Sequence, residues 1–255
     1  MRLDAFLVEN GFFDSRTKAK ECIERGEVYF LNKPVLKASF SIELFDKDKI
    51  EIKKAKDFVS LGGYKLDKAI NDFMFNPSNL TCIDLGSSTG GFTDCLIQNN
   101  AKKVYAIDVN ISILHDKIKN NPCVIPLEKN ARDISKQDFS ENIDLVVCDL
   151  SFISSSYVLP SIYNVLKDNK HVILLIKPQF EMNKRYHAKN GVIRDLKVVK
   201  SVCKNVYDNA IINGFAPLKI TSAPINQNKN REYLMLLEKN GDKMFNFDKI
   251  NFENL

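Results

Sequence analysis

The sequence predicts an α/β protein in which a mostly parallel, seven-stranded sheet carries helices on both faces and follows a small α/β unit. From residue 58 onward, short apolar runs alternate with longer amphipathic stretches, which is the pattern of buried parallel strands separated by helices. Only a loop separates the last two runs, which indicates a closing antiparallel hairpin. The seven runs are residues 80–86, 102–109, 122–127, 143–150, 171–178, 218–224 and 231–239.

The first 57 residues predict a separate small unit. Its apolar residues have helical spacing, and Gly11 and Gly26 are placed to end two short helices. Residues 27–35 read as two short extended pieces around a turn. Residues 46–57 are rich in charge and fit a last strand followed by a linker, so we expect units at 1–57 and 58–255.

The composition is that of a globular, non-membrane protein. Hydrophobic residues make up 44% of the 255 residues and charged residues 27%, which suffices for a real core under an ordinary surface. The longest apolar run, residues 172–176, is far shorter than the roughly 18 residues that cross a bilayer. No signal-peptide pattern opens the chain, so a cytoplasmic location is expected. The cysteines show no CxxC spacing, so neither disulfides nor a metal site is indicated.

A glycine-rich turn follows the first strand of the large unit, in the segment CIDLGSSTGGFTDCLIQ at residues 82–98. A strand, an acidic residue, a glycine turn and a helix together can bind a polar ligand through backbone amides. The spacing is not GxGxxG, and Asp84 would repel a pyrophosphate, so a zwitterionic ligand without phosphates is favoured. The glycines alone would also suit a tight turn.

Two further strands end in acidic residues at the same edge. Asp108 is placed to hold ribose hydroxyls or, on the alternative reading, to cap the next helix, and Asp149 ends the fourth strand. Three acidic strand ends around one glycine turn resemble the S-adenosylmethionine site of Rossmann-like methyltransferases. The expected cofactor-binding residues are Asp84, Gly86, Ser87, Ser88, Gly90, Gly91, Phe92, Asp108, Asp133 and Asp149.

Nearly the whole chain resembles the TlyA family of ribosomal RNA 2'-O-methyltransferases, once described as haemolysins and related to the FtsJ-like methyltransferases. The resemblance rests on GGYKL, DLGSSTGGFTDCLIQ, CDLSFIS, IKPQFE with the downstream KNGVIRD, and the N-terminal RLDAFLVENGFFDSRTKAKECIERGEVYFLNKPV. It implies a catalytic tetrad of Lys65, Asp149, Lys177 and Glu232. One departure is Leu61, where the family commonly has an arginine that could contact phosphate.

The implied chemistry is consistent with these residue types. A ribose hydroxyl must be aimed at the methyl group and must lose its proton as the new bond forms. We expect Lys177 to act as the base or to orient the hydroxyl. Lys65 and Asp149 would position Lys177, and Glu232 would orient the ammonium groups of the lysines.

The segment from Arg2 to Val35 resembles a small RNA-binding domain named after a protein of the small ribosomal subunit. Residues 1–40 contain seven Lys/Arg and six Asp/Glu, so any RNA affinity must come from segregation of the charges. A solvated charged helix is the alternative. The expected RNA-binding residues are Arg2, Arg16, Lys18, Lys20, Arg25 and Lys33.

The sequence therefore predicts a monomeric enzyme that uses S-adenosylmethionine to methylate a ribose, expected at a cytidine, in ribosomal RNA within ribosomal subunits. A cytolysin is one alternative, but it would need a membrane-spanning or strongly amphipathic segment, which the sequence lacks. A catalytically idle ribosome-binding assembly factor is the other, and the complete tetrad argues against it.

Overall fold

The computed structural model describes residues 1–24, 26–31, 33–52, 56–182, 192–224 and 230–255. The chain divides into two compact units, Met1–Asp57 and Phe58–Leu255. The small unit contains helices α1 (Leu3–Glu9) and α2 (Arg16–Glu24) and strands β1 (Val28–Phe30), β2 (Lys33–Pro34) and β3 (Ile50–Ile52). Strand β1 lies between β2 and β3 and is antiparallel to both. Apolar side chains from both helices and from β1 form its core, among them Phe6, Ile23 and Val28.

The large unit is built on a mixed sheet. Its helices are α3 (Leu61–Phe73), α4 (Gly91–Gln98), α5 (Asp116–Lys119), α6 (Leu159–Val165), α7 (Pro178–Glu181) and α8 (Leu196–Ile212). Its strands are β4 (Thr81–Leu85), β5 (Lys103–Asp108), β6 (Val124–Glu128), β7 (Ile143–Cys148), β8 (Leu166–Ile176), β9 (Phe215–Ser222) and β10 (Tyr233–Lys239). Among the described residues these seven strands follow the order β6-β5-β4-β7-β8-β10-β9. Strand β10 is antiparallel to both neighbours, whereas β4 to β8 are mutually parallel. The predicted fold class, with its closing antiparallel hairpin, is confirmed.

The strands are buried because helices cover both faces of the sheet. Every residue of β4 is buried, and its alternate side chains belong to separate apolar clusters, Ile83 to one and Cys82 to the other. This two-sided burial explains why β4 reads as a continuous apolar run rather than as an alternating one.

Strand β8 is longer than its apolar run. It begins at Leu166, directly after α6 ends at Val165, whereas the apolar pattern begins only at residue 171. The added residues are largely polar and exposed, and the new strand end pairs Leu166 with Ile143 of β7. Backbone pairing with a neighbour extends the strand where side-chain pattern gives no signal.

None of the described helices combines the length and the apolar character that crossing a lipid bilayer requires.

Candidate active site

The glycine turn directly follows β4 at the carboxyl edge of the sheet, between the ends of β5 and β7. The backbone amides of Gly86 and Ser87 donate to the carbonyl oxygen of Ile107, at 2.9 Å and 3.0 Å. Gly86 has φ of 81°, and a Cβ there would lie 2.4 Å from the carbonyl oxygen of Asp149. Only glycine allows the turn to pass this close to Asp149 in that conformation.

A cavity of about 430 Å³ opens beside this turn. Asp108 lies in its wall, where its carboxylate accepts hydrogen bonds from the backbone amides of Ser88 at 2.9 Å and Asn110 at 3.0 Å. These bonds fix the carboxylate, and its remaining lone pairs can accept from ribose hydroxyls. The wall is formed by Gly86, Ser88, Ile107, Asp108, Val109, Ile113, Lys129, Asn130, Ala131, Arg132, Asp149, Leu150, Ser151 and Ile153.

Asp84 lies fully buried behind the turn. Its Oδ2 accepts a hydrogen bond from the Thr93 hydroxyl at 2.6 Å, while Oδ1 has no hydrogen-bond partner among the described residues. Burial raises the pKa of Asp84 to about 7, against the opposing effect of the Thr93 hydrogen bond. The carboxyl therefore stays protonated at pH values well above those at which an exposed aspartate ionises.

The cavity suits S-adenosylmethionine better than a dinucleotide. Its volume is in the range of cofactor pockets, and apolar side chains such as Ile107 and Ile153 can face a flat base. Asp108 accepts a hydrogen bond from the backbone amide of Ser88, so this amide of the turn is not available to a phosphate. The buried hydroxyl of Ser87, like Asp84 Oδ1, lacks a hydrogen-bond partner among the described residues, so polar groups without partners lie directly behind the turn.

The structure brings together only part of the expected cofactor set. Gly86, Ser88, Asp108 and Asp149 line the cavity. Asp133 is exposed and lies outside the cavity wall. The remaining members are buried and support the turn from behind: Asp84, Ser87, Gly90, Gly91 and Phe92.

The four tetrad residues form two ion pairs at the same edge of the sheet. Lys65 Nζ lies 2.6 Å from Glu232 Oε2, and Lys177 Nζ lies 2.5 Å from Asp149 Oδ1. Tyr233 pairs with Ile176, which places Glu232 opposite Lys177 on the neighbouring strand. The lysine side chains are 21% and 12% exposed, so water screens both pairs only partly.

Close packing of α3 against α4 presents Lys65 to the site. A Cβ on Gly91 would lie 2.2 Å from Ser60 Oγ and 2.9 Å from the backbone nitrogen of Gly63. The buried carboxylate of Asp94, on α4, accepts a hydrogen bond from the Val59 amide at 2.9 Å. The start of α3 is thus held directly on α4, and the lysine one turn later faces Glu232.

Ser151 and Glu181 were not predicted from the sequence. Lys177 Nζ donates to the Ser151 hydroxyl at 2.9 Å. Glu181 accepts from the Ser154 hydroxyl at 2.6 Å and from the Ser155 amide at 2.9 Å. Both residues lie inside the quoted segments CDLSFIS and IKPQFE, and their position there was the only available signal.

In the small unit, two expected RNA-binding residues meet at one carboxylate. Arg2 and Arg16 both donate to Asp4, at 3.0 Å and 2.9 Å in their closest contacts, and their own side chains remain more than half exposed. The Arg2 hydrogen bond lowers the pKa of Asp4 to about 2 despite its burial, so Asp4 holds the two guanidinium groups together as an anion. Lys18 pairs with Asp14 and Lys20 with Glu24, and Lys33 is exposed. Arg25 lies outside the described residues.

Two relatives match most of this chain in sequence. Hemolysin A of Brachyspira hyodysenteriae is 39% identical and covers 92% of this chain and 98% of its own length. The 16S/23S rRNA (cytidine-2'-O)-methyltransferase TlyA of Mycobacterium tuberculosis is 32% identical, over 95% of this chain and 91% of its own.

Solved structures show the same fold. A candidate hemolysin from Lactococcus lactis has a TM-score of 0.71 at 38% identity, covering 76% of this chain and 96% of its own. An S-adenosylmethionine dependent methyltransferase from Mesorhizobium loti shares the fold at a TM-score of 0.52 and 13% identity, covering 71% of this chain and all of its own. FtsJ-like methyltransferases match residues 58–239. The chain therefore belongs to the FtsJ-like methyltransferase family and uses S-adenosylmethionine as its cofactor.

Proposed function

We propose that the protein methylates the 2'-hydroxyl of a ribose, at a cytidine, in ribosomal RNA within a ribosomal subunit. One observation carries the catalytic part of this proposal: Asp149 belongs both to the cofactor cavity and to the ion pair with Lys177. The cavity proposed for the methyl donor and the lysine therefore share one residue. The name of the Mycobacterium tuberculosis relative supports the choice of a cytidine ribose in ribosomal RNA.

When bound, S-adenosylmethionine supplies an electrophilic methyl group. Lys177 contacts Asp149 and Ser151, which leaves one further direction on its nitrogen for the acceptor hydroxyl. As an ammonium group the lysine donates to the hydroxyl oxygen and orients it. As an amine it accepts the hydroxyl proton while the oxygen acquires the methyl group, and then passes that proton to water.

The second ion pair supports the first. Glu232 holds Lys65 at 2.6 Å and lies opposite Lys177 across the β8–β10 pair. The four groups carry no net charge together, so Lys65 can approach the acceptor ribose without adding uncompensated charge to the site. Its role is to position that ribose.

Aromatic side chains beside the lysine suit an RNA substrate. The Phe152 ring is 90% exposed and lies 4.9 Å from the Phe180 ring, which itself lies 5.9 Å from Lys177 Nζ. Exposed rings at such a position can stack on a base that has left its helix, which is how proteins commonly read single-stranded RNA.

The small unit would position the ribosomal RNA. The two guanidinium groups joined by Asp4 form an exposed cationic pair that can contact phosphates. Such contacts fix register without reading sequence, so residues 1–57 would serve as an RNA-binding domain. The protein would act as a monomer, since one chain contains the complete tetrad.

Transfer of labelled methyl groups to ribosomal subunits, followed by mapping of ribose methylation, tests the proposal. We expect one or a few cytidines to be labelled by the wild-type protein and none by Lys177→Ala. Binding to subunits without any transfer would instead identify an assembly factor. Lysis of liposomes without RNA methylation would identify a cytolysin.

A further inference from the structure

The Lys177 amine is held by a serine that belongs to no part of the tetrad. Ser151 accepts a hydrogen bond from Lys177 Nζ at 2.9 Å, and Asp149 lies 2.5 Å from the same nitrogen. A lysine nitrogen is a threefold rotor whose donors turn freely when only one partner holds it. The serine hydrogen bond and the ion pair with Asp149 together restrict that rotation. They favour one direction for the position on the nitrogen that remains.

The loop that carries Ser151 is fixed by a second set of contacts. Glu181, on α7, accepts from the Ser154 hydroxyl and the Ser155 amide, so the loop is tied to the helix that begins directly after Lys177. We call these two hydrogen bonds the Glu181 clasp. It joins the segment bearing Ser151 to the segment bearing Lys177.

The backbone of this loop is strained at Phe152, so other contacts must hold the loop in its conformation. Phe152 has φ of 66°, in the left-handed region that a bulky residue occupies only at a cost of order 1–3 kcal/mol. Its side chain is 90% exposed, so burial of the ring does not offset this cost. The clasp, the Ser151 contact, the Phe152–Phe180 ring contact and the packing of Ile153 against the core are described interactions that can offset it. Ser151 also lines the cofactor cavity.

We propose that Ser151 is a positioning residue for the methyl transfer: held in place by the Glu181 clasp, its hydroxyl acts with Asp149 to aim the free position of the Lys177 nitrogen at the acceptor hydroxyl. This inference rests on the proposed role of Lys177. It requires that Ser151 affect the chemical step and leave the binding of both substrates nearly unchanged.

Single-turnover methylation by Ser151→Ala, Ser151→Thr and the matched control Ser156→Ala tests this. The Ser156 hydroxyl contacts Ser154, and none of the described hydrogen bonds joins it to Lys177. Ser151→Ala should slow the chemical step about tenfold, the scale of one lost hydrogen bond. Cofactor affinity and KM for the ribosomal subunit should change less than about twofold. This result would distinguish an effect on the orientation of Lys177 from an effect on binding. Ser151→Thr restores the hydroxyl and should recover most of the rate, while Ser156→Ala should keep the wild-type rate.

Three outcomes would overturn the inference. They are a wild-type rate in Ser151→Ala, an equal loss of cofactor affinity, and a Thr variant as slow as the Ala variant. Adding Ser151→Ala to Lys177→Ala should cause no further loss, because the serine acts through that lysine. A normal rate in Ser151→Ala together with an inactive Lys177→Ala would reject the role of Ser151 and leave the role of Lys177 standing. A normal rate in Lys177→Ala would reject the proposed chemistry itself.

Discussion

Lys65 lies 2.6 Å from Glu232 at the carboxyl edge of the sheet, which distinguishes it from an ordinary surface lysine. Lys65→Ala should reduce single-turnover methylation by roughly a hundredfold or more, the scale of a lost orienting or acid–base group. Lys177→Ala should be at least as slow, and the double variant scarcely slower than the worse single one. Cofactor affinity, measured by calorimetry, should stay within a few-fold. Full activity in Lys65→Ala would show that Lys65 forms only an ion pair and has no role in the reaction.

Asp108 offers a direct test of the cofactor cavity. Asp108→Ala should weaken S-adenosylmethionine binding by roughly 1–3 kcal/mol, because a charge-assisted contact to the ribose is lost. Titration calorimetry measures this, with the exposed Asp116→Ala as a control that should bind normally. Equal affinities in both variants would remove Asp108 from the cofactor site.

Asp84 should make stability depend on pH. Its pKa is about 7 in the fold against 3.8 for the exposed group, so the fold favours the protonated form. The resulting stabilisation is present below about pH 4 and is lost as the pH rises through about 7, up to ~4 kcal/mol for a shift of this size. Urea unfolding of wild type and Asp84→Asn at several pH values gives the difference. A difference that does not change from pH 4 to pH 8 would contradict the buried, neutral carboxyl.

At the scale of elements, the contact between α3 and α4 controls where Lys65 lies. Gly91→Ala would place a methyl group 2.9 Å from the Gly63 nitrogen and should cost about 1–3 kcal/mol of stability through overpacking. It should also lower activity, because α3 must move away from α4. Gly62→Ala is the matched control, since its Cβ would be 3.4 Å from the Phe92 ring; it should be neutral or stabilising by up to about 1 kcal/mol. Thermal melts and single-turnover rates measure both effects, and equal behaviour of the two variants would show that α3 adjusts freely.

Elements with a strong pattern could be predicted, and elements set by neighbours could not. The buried strand β4 shows its burial in every residue, whereas the first part of β8 is polar and becomes a strand only by pairing with β7. The same division holds at the site. Strand ends bring Asp108, Asp149 and Lys177 to one edge, and sequence order alone indicates this. The Ser151 contact depends on a loop with a left-handed residue, for which the sequence gives no local signal.

At the scale of the whole molecule, each unit has its own apolar core. Removing residues 1–57 should therefore leave the fold of the remainder and its binding of S-adenosylmethionine unchanged. Methylation of ribosomal subunits should be abolished, because the proposed positioning surface is gone. Circular dichroism and calorimetry check the fold and cofactor binding, and labelled-methyl transfer checks activity. A truncated protein that methylates subunits at the normal rate would show that the small unit does not position the RNA.

The order of the strands also constrains how the chain can fold during its synthesis. Strand β10 inserts between β8 and β9, so β9 leaves the ribosome before the strand that joins it to the sheet exists. Until then, one edge of β8 and all of β9 expose unpaired backbone groups, which promotes misassembly in partly folded chains. Glu232 enters at the start of that same late strand. A nascent chain consequently has a complete glycine turn well before Glu232 is present to pair with Lys65, so the second ion pair forms only after β10 has been synthesised and inserted.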